Sequence, residues 1–553
     1  MRLIERRVGL IFAVFLVGLA IAATKALFLG VVRADSLRKL AAVQQEAKVT
    51  VPALRGNITD RHGELLAVSE PALSVAATPY LIKNKLVVAR QIAPMLHRDQ
   101  NDVLADLSRQ DTGFVWLARK LPMAEGTAIE KLHIEGLDFV DEAVRRYPRT
   151  FLASQLLGIT GEDNTGLTGL ENQHDDILAG RDGTRLLVKD ALGKPIKSND
   201  ERAPIDGKPL ELTLDDEIQE KAEAVLAEVG KKYSPADATA IVMDPRTGEL
   251  LAVANWPRVD NNHIDEAPDW ALQDHAVQTS YEPGSTFKAI TMAGALQEGR
   301  VTPSTEFNLG SYIQVADRQI HEAEGEAYGT LSASEILKYS SNVGMITIGL
   351  RLGSLDFSRW VSRFGFGHLT GADLPGEQTG QVLPHDEYSG SSMGNLPIGQ
   401  GESVTPMQMA AAYAAIANGG TLRPPRVVKA IGGKATPVPR GRRVLTTQTS
   451  ATLRKMLEGV LGAGGTASGA AIDGYVMAGK TGTAEKVDPA THLYSETKYV
   501  ASFVGFAPAA DPKLLALVMV DEPNGDIYGG SVAAPAWRDI MNYALTRLRI
   551  PPG

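Results

Sequence analysis

The chain has 553 residues, with 56 Lys and Arg against 65 Asp and Glu and a formal net charge of −9. This length predicts two or more domains, and the acidic balance argues against nucleic-acid binding. There are no cysteines, which excludes a disulfide scaffold, a cysteine nucleophile and thiolate metal ligands.

The first feature along the chain is an apolar run over residues 8–24 that continues past Lys25 to Val32. As a helix, the first run covers about 25 Å, and the extension to Val32 completes a bilayer core of roughly 30 Å if Lys25 reaches the interface. Three arginines at positions 2, 6 and 7 precede it. The positive-inside rule therefore predicts a cytoplasmic tail at residues 1–7, an anchor at 8–32 and the remainder outside.

The alternative is a cleaved signal peptide, because Ala20-Ile21-Ala22 offers a cleavage site of the A-x-A type. The length of the apolar run favours the uncleaved anchor. No second long apolar run follows, so we expect a single-pass protein.

The next part of the chain is mixed in character. We expect a charged helical stalk over residues 34–47, within a connecting segment 33–50, and a β-hairpin whose turn is Asp60-Arg61-His62-Gly63. Residues 80–135 are predicted to be mostly amphipathic helix. Residues 145–206 carry many irregularly spaced glycines and are predicted to be rich in loops.

From about residue 212 the pattern becomes regular. The sequence predicts a helix over 214–229, strands over 238–244 and 249–255, two further strands over 499–506 and 514–520, and a final helix over 533–548. Strands at both ends of this region with helices between them predict one α+β domain whose sheet joins the two sequence ends.

Three short motifs stand in order within this region. They are Ser285-Thr286-Phe287-Lys288, Ser340-Ser341-Asn342 and Lys480-Thr481-Gly482. Each one alone has an ordinary structural explanation, as a helix cap, a polar turn or a turn between strands. Together they form the serine–lysine pattern shared by penicillin-binding proteins and serine β-lactamases.

The chemistry of acyl transfer explains these residue types. A serine hydroxyl becomes a good nucleophile when a nearby base removes its proton. Ser285 opens an apolar helix and Lys288 lies on the same face, three residues later, where partial desolvation near another cation favours a neutral lysine. Ser340 and Asn342 can face one cleft, and Gly482 lets a substrate backbone approach the edge of a strand.

The histidines show no ligand spacing for a metal, and no metal or cofactor is predicted. His321-Glu322 comes nearest to such spacing, and we interpret it as a solvated pair in a loop.

Beyond these motifs, the chain resembles the class B penicillin-binding proteins, which are membrane-anchored peptidoglycan D,D-transpeptidases. The stretches that carry the resemblance are Arg55-Gly56-x-Ile58-x-Asp60-Arg61-x-Gly63, Gly166-Leu167-Thr168-Gly169-Leu170-Glu171, Leu178-x-Gly180-x-x-Gly183, Gly399-Gln400-Gly401 before Thr405-Pro406, and Tyr528-Gly529-Gly530. It implies an α+β transpeptidase domain over 206–553, an antiparallel sheet with helices on both faces. It also implies an elongated, non-catalytic α+β pedestal of the class B dimerisation type over 51–205.

The resemblance also implies roles for single residues. Ser285 would be the nucleophile, Lys288 the base, Ser340 a proton relay and Asn342 a substrate-binding amide. Lys480 and Thr481 would position the D-Ala-D-Ala donor. The backbone amides of Ser285 and Thr483, beside Gly482, would form the oxyanion hole. β-Lactams would trap Ser285, and the family's partners would be a polytopic glycosyltransferase and other division-complex membrane proteins.

Within class B, Glu282-Pro283-Gly284 and Ser340-Ser341-Asn342-Val343-Gly344 look more like the cell-division type, which acts at the septum, than the elongation type. The same motifs are also compatible with the elongation type, which is the alternative interpretation. A secreted β-lactamase or carboxypeptidase shares the three motifs too, but it usually lacks an anchor and pedestal. A β-lactam-binding scaffold or sensor would be a binding protein, and intact Ser285, Lys288 and Lys480 argue against an inactive scaffold.

Overall fold

The computed structural model describes residues 2–33, 46–189, 195–323, 325, 327–488, 491 and 493–552. The chain divides into two compact units, each built from three segments. The first contains Met1–Leu54, Pro71–Ala143 and Gly180–Asp206, and the second contains Arg55–Glu70, Val144–Ala179 and Gly207–Gly553. Two segments that the sequence assigns to the pedestal therefore lie in the same unit as the three motifs.

The first unit begins with a helix over Arg2–Leu27, extended by a π-helical turn over Phe28–Val32. Within the described part of the chain, residues 6–32 form the one helix that is long and apolar enough to cross a membrane. Its large apolar side chains are exposed, as a lipid-facing helix requires. The predicted stalk helix lies outside the described residues except at Glu46 and Ala47, which begin a strand instead.

A three-stranded antiparallel sheet follows, with the strand order Glu46–Val51, Gly183–Lys189, Pro195–Arg202. The last two strands lie in the stretch predicted to be rich in loops, so that prediction is wrong there. These two strands pair with each other, and Gly183–Lys189 also pairs with Glu46–Val51, far earlier in the chain. The long-range pairing with Glu46–Val51 leaves no local pattern in the sequence.

The remainder of the first unit mixes helices and strands. The helices are Lys85–Ile92, Gln100–Ser108 and Met123–Glu130. Between the second and third helices, Val115–Pro122 is a strand that pairs with residues 72–77 of the strand Leu65–Ala77. The prediction of helix is wrong for this segment, because Val115 and Leu117 pack into a core against the helices and the neighbouring strand.

The second unit is organised around a five-stranded antiparallel sheet. In sheet order its strands are Leu250–Trp256, Asp237–Met243, Leu514–Asp521, Tyr494–Ala507 and Ala478–Val487. The sheet joins the two ends of the region, as the sequence predicts. The last strand lies at the edge of the sheet.

Both faces of this sheet are covered by helices. Along Asp237–Met243, Ile241 and Met243 face one core, whereas Ala240 and Val242 face the other. One face carries the terminal helices Asp216–Tyr233 and Ala533–Arg547. On the other face, the helices Pro406–Ala417 and Thr447–Leu461 pack against the strands. The helices Lys288–Gln297, Ala333–Tyr339, Asn342–Leu352 and Ser354–Arg363 complete the same core.

The predicted hairpin is present. Ile58–Thr59 pairs with the start of Leu65–Ala77 across the Asp60–Gly63 turn, and it also pairs in parallel with Leu210–Leu212.

A buried ion cluster holds this segment in the second unit. Arg55 Nε donates to Glu171 Oε2 at 2.5 Å, and Arg145 Nε donates to Glu171 Oε1 at 2.7 Å. These three side chains are almost fully buried. The cluster thus joins two of the sequence stretches, around Arg55 and Glu171, that carry the family resemblance.

Candidate active site

The Ser285 hydroxyl lies on a tight turn that leads into a buried helix. Gly284–Phe287 forms one 3-10 turn, and Lys288–Gln297 continues it as an α-helix. Gly284 has φ +52°, and its amide donates to the Gly399 carbonyl at 3.0 Å. Ser285 is half-buried, whereas Lys288 is fully buried because the helix it begins lies inside the core.

The Lys288 ammonium group is held by the second motif. Its Nζ donates to the Ser340 carbonyl at 2.6 Å and to Asn342 Oδ1 at 2.7 Å, and lies 3.2 Å from Ser340 Oγ. Ser340 takes a left-handed conformation, φ +61°, at the end of the helix Ala333–Tyr339. Among the described hydrogen bonds, none joins Ser285 to Lys288.

Lys480 reaches the same hydroxyl from the edge strand. Its Nζ lies 2.9 Å from Ser340 Oγ and 3.2 Å from the Thr481 carbonyl. The structure therefore brings Lys288, Ser340, Asn342 and Lys480 together, and the Ser340 hydroxyl bridges the two lysines.

Lys288 and Lys480 are both buried, so a charge on either side chain costs free energy. Burial lowers the pKa of Lys288 to about 7, against the opposing effect of the Glu322 carboxylate. Burial lowers the pKa of Lys480 well below its ordinary value, and the neighbouring Lys288 charge lowers it further. A neutral lysine has a lone pair, so the Ser340 hydroxyl can donate to one Nζ and accept from the other.

The sequence does not identify Glu322, and its interpretation as a solvated side chain is wrong. Glu322 is buried, and its carboxylate accepts hydrogen bonds from Ser341 Oγ at 2.5 Å and from the amides of Asn342 and Val343 at 2.8 and 3.2 Å. It sits at the first turn of the helix Asn342–Leu352, where a negative charge is favourable. Glu322 precedes this helix by twenty residues, so no local sequence pattern indicates its role.

The third motif lies on the edge strand Ala478–Val487, packed against the serine turn. A Cβ atom at Gly482 would collide with Ser502 Oγ and come within 2.9 Å of Thr286 Cγ2. Gly482 is therefore required by the inner packing of the strand, and its expected role in substrate approach stays a prediction. A Cβ atom at Gly284 would lie 2.8 Å from the Thr483 carbonyl, which places Thr483 beside the serine turn.

Two glycine-rich loops flank this strand. The Thr483 hydroxyl accepts the Gly529 amide at 3.0 Å, and Thr481 Oγ1 lies 2.9 Å from Thr466 Oγ1. Among the residues that the structure describes, no group of three or more His, Asp and Glu side chains is arranged to hold a metal ion.

A fold and site of this kind define a serine acyl-transfer enzyme. Residues 238–542 match the family of penicillin-binding protein transpeptidase domains, and residues 50–212 match the penicillin-binding protein dimerisation domain. The chain therefore belongs to the class B penicillin-binding proteins, which combine these two domains.

Curated relatives match over most of both chains. Stage V sporulation protein D of Bacillus subtilis is 35% identical over 90% of this chain and 79% of its own length. The peptidoglycan D,D-transpeptidase FtsI of Escherichia coli K12 is 32% identical over 99% of this chain and 93% of its own length.

Solved structures of penicillin-binding proteins are also similar to this chain over most of its length. Penicillin-binding protein 3 of Mycobacterium tuberculosis complexed with aztreonam is 30% identical with a TM-score of 0.72, covering 91% of this chain and 98% of the other. Penicillin-binding protein 2X of Streptococcus thermophilus has a TM-score of 0.76 and 25% identity, over 90% of this chain and 80% of its own.

Proposed function

We propose that this enzyme cross-links peptidoglycan stem peptides through an acyl-enzyme on Ser285 during septal wall synthesis. The observation that carries the proposal is the buried Lys288, whose pKa of about 7 suits a base at neutral pH and whose Nζ shares the Ser340 hydroxyl with Lys480.

In the first half-reaction, Ser285 Oγ attacks the carbonyl carbon of the penultimate D-Ala. The Oγ–C bond forms and the C–N bond to the terminal D-Ala breaks. The serine proton passes to neutral Lys288 and then, through Ser340, to the departing amine. The transfer from Lys288 Nζ to Ser340 Oγ covers an observed separation of 3.2 Å.

The remaining site residues bind and polarise the donor. Lys480 and Thr481 position the terminal carboxylate, and the Asn342 side chain holds a peptide group. The backbone amides of Ser285 and Thr483, beside Gly482, form the oxyanion hole. Removing one donor from such a hole costs about 3–4 kcal/mol of transition-state stabilisation in other enzymes.

We also propose that β-lactams acylate Ser285. The Mycobacterium tuberculosis proteins that this fold matches are described as complexes with aztreonam and ampicillin. β-Lactam carbonyls would enter the same oxyanion hole as the peptide carbonyl.

The septal role is supported by the similarity to FtsI and by the residues before the nucleophile, Glu282-Pro283-Gly284. The partners would be a polytopic glycosyltransferase and other division-complex membrane proteins, with residues 51–205 as the pedestal and 206–553 as the transpeptidase domain. Depletion in a rod-shaped host should then give filaments, and a fluorescent fusion should gather at midcell. Rounded cells with lateral-wall fluorescence would favour the elongation type.

The test of the catalytic proposal is labelling of membranes with fluorescent penicillin. The wild-type protein should label, and Ser285→Ala should not, because the substitution removes the nucleophile and leaves almost the same volume. The matched control is Ser389→Ala, on an exposed turn, which should label as the wild type does. A penicillin adduct detected on Ser285→Ala by intact mass would overturn the assignment.

A further inference from the structure

A cavity of about 470 Å³ lies beside the serine turn and carries three carboxyl groups. Its lining includes Glu282, three residues before Ser285, together with Glu387 and Glu402. No Lys, Arg or His side chain lines it within the part of the chain that the structure describes. The cavity therefore offers carboxyl oxygens to a ligand that donates hydrogen bonds.

The wall that bears Glu402 is fixed to the segment that bears the nucleophile. Tyr281 and Val404 exchange two backbone hydrogen bonds of 2.9 Å each, and the Gly284 amide donates to the Gly399 carbonyl at 3.0 Å. Glu402 lies between Gly399 and Val404, so the position of the cavity relative to Ser285 is set by the backbone.

Glu402 is the unusual member of this lining. It is 3% exposed, and neither of its carboxyl oxygens has a hydrogen-bond partner among the described residues. Burial holds the pKa of Glu402 well above its ordinary value, and the charge of Glu282 raises it further. Buried polar groups in native proteins are nearly always satisfied, so an unpartnered carboxyl in the wall of a cavity points to a ligand that supplies hydrogen-bond donors.

Glu282 connects this cavity to the catalytic turn. Its carboxylate accepts the Gly401 amide at 3.1 Å and the Tyr494 hydroxyl at 3.1 and 3.2 Å. Burial raises the pKa of Glu282 to about 7, so this side chain can both take up and release a proton at neutral pH.

We propose that this cavity binds the primary ammonium group of the acceptor stem peptide, with Glu282 and Glu402 as its carboxyl partners. The inference rests on the proposed function, because it places the second substrate of the same acyl-enzyme. An ammonium group offers three donors to the oxygens of these two carboxyl groups, and its positive charge is favoured beside Glu282 when that side chain is ionised.

In the second half-reaction the acceptor amine attacks the acyl-enzyme, and Glu282 acts as the base that first takes a proton from it. The bound ammonium first passes one proton to the Glu282 carboxylate and becomes a neutral amine with a lone pair. The amine nitrogen then attacks the ester carbon, so that the C–N bond forms and the C–Oγ bond to Ser285 breaks. The second amine proton returns to Ser285 Oγ through Lys288 and Ser340, and Glu282 releases its proton to water.

The experiment measures how one acyl-enzyme partitions between amine and water. Full-length protein in detergent is given a thioester analogue of the D-Ala-terminated donor with D-alaninamide as acceptor, and the ratio of aminolysis to hydrolysis products is recorded. N-acetyl-D-alaninamide serves as the acceptor without an amine. Because both products come from the same intermediate, any change in the acylation rate cancels in the ratio.

We expect Glu282→Gln and Glu402→Gln each to lower this ratio at least fivefold and to raise the D-alaninamide concentration that gives half-maximal aminolysis. Glu496→Gln, which removes an exposed carboxylate from the strand that bears Tyr494, should keep the wild-type ratio. Ratios within twofold of the wild type in both cavity variants would overturn this inference. Failure of the wild-type protein to form any acyl-enzyme would instead overturn the proposed function.

Discussion

The Nζ atoms of Lys288 and Lys480 both lie within hydrogen-bond distance of one hydroxyl, that of Ser340, at 3.2 and 2.9 Å. Two ammonium groups around one oxygen inside a protein would repel each other with little screening. Burial resolves this conflict by favouring the neutral form of each lysine. The same burial that places the helix Lys288–Gln297 in the core thus favours the neutral lysine that the proposed base requires.

The first prediction concerns this base. Acylation by penicillin should rise with pH between 6 and 8 and level off above, because the neutral fraction of Lys288 grows as the pH passes its pKa of about 7. Lys288→Ala should lower the acylation rate by about 10²–10⁴-fold, the usual contribution of a general base. Stopped-flow acylation measures both, with the exposed Lys455→Ala as control. A rate within threefold of the wild type would show that Lys288 is not the base.

The second prediction concerns Glu322, which positions the second motif through Ser341 and the amides of Asn342 and Val343. Its charge also raises the pKa of Lys288, so Glu322→Gln should move the acid limb of the acylation profile to lower pH. Loss of charge-assisted hydrogen bonds should destabilise the protein by about 1.5–3 kcal/mol.

The matched control is Glu335→Gln, which removes a carboxylate from the exposed cap of the helix Ala333–Tyr339. This variant should lose some stability and keep the wild-type pH profile. If the pH profiles of acylation of both variants coincide with that of the wild type, Glu322 contributes to stability and does not set the pKa of Lys288.

At the scale of secondary-structure elements, the second unit depends on short segments that are distant in sequence. Arg55 precedes the strand Ile58–Thr59, and it reaches Glu171 in the helix Gly169–Gln173. That helix, like the strand, lies outside the five-stranded sheet. The ion cluster is therefore a joint between elements that are distant in sequence and whose apolar residues, such as Ile58 and Leu170, lie in one core.

The third prediction follows from this joint. Arg55→Met should lower the free energy of unfolding by about 3–5 kcal/mol, because it leaves the Glu171 carboxylate buried with only part of its compensating charge. Arg359→Met, which removes an exposed arginine paired with Asp356, should cost less than about 1 kcal/mol. Thermal unfolding of the two variants checks the difference. Equal midpoints of thermal unfolding for the two variants would mean that the buried cluster stabilises the protein no more than a surface ion pair does.

At the scale of the whole molecule, the fourth prediction concerns the amino terminus. The apolar helix over residues 6–32 is preceded by basic residues, so a reporter fused after Gly553 should be active outside the cytoplasm. The mature protein should retain residues 1–22. A free amino terminus at Ala23, found by terminal sequencing, would mean that this segment is a cleaved signal peptide.

Much of this molecule could be predicted from its sequence, because the relevant patterns are local. The apolar run near the amino terminus, the strands at both ends of the catalytic region and the final helix each follow from residues close together along the chain. The three motifs were also recognisable, since their residue types and order are distinctive.

Other features were decided by the tertiary structure alone. Val115–Pro122 is a strand because of the partners that bury its alternate side chains, and Gly482 is needed because of a turn nearly two hundred residues earlier. Glu322 and Glu402 look like ordinary acidic residues in the sequence. In the structure Glu322 caps the second motif, whereas Glu402 lines a cavity and has no hydrogen-bond partner among the described residues. The perturbed pKa values of Lys288 and Lys480 likewise arise only when folding removes water from around them. Local sequence patterns specify periodicity and caps, whereas burial and charge proximity depend on which distant segments meet.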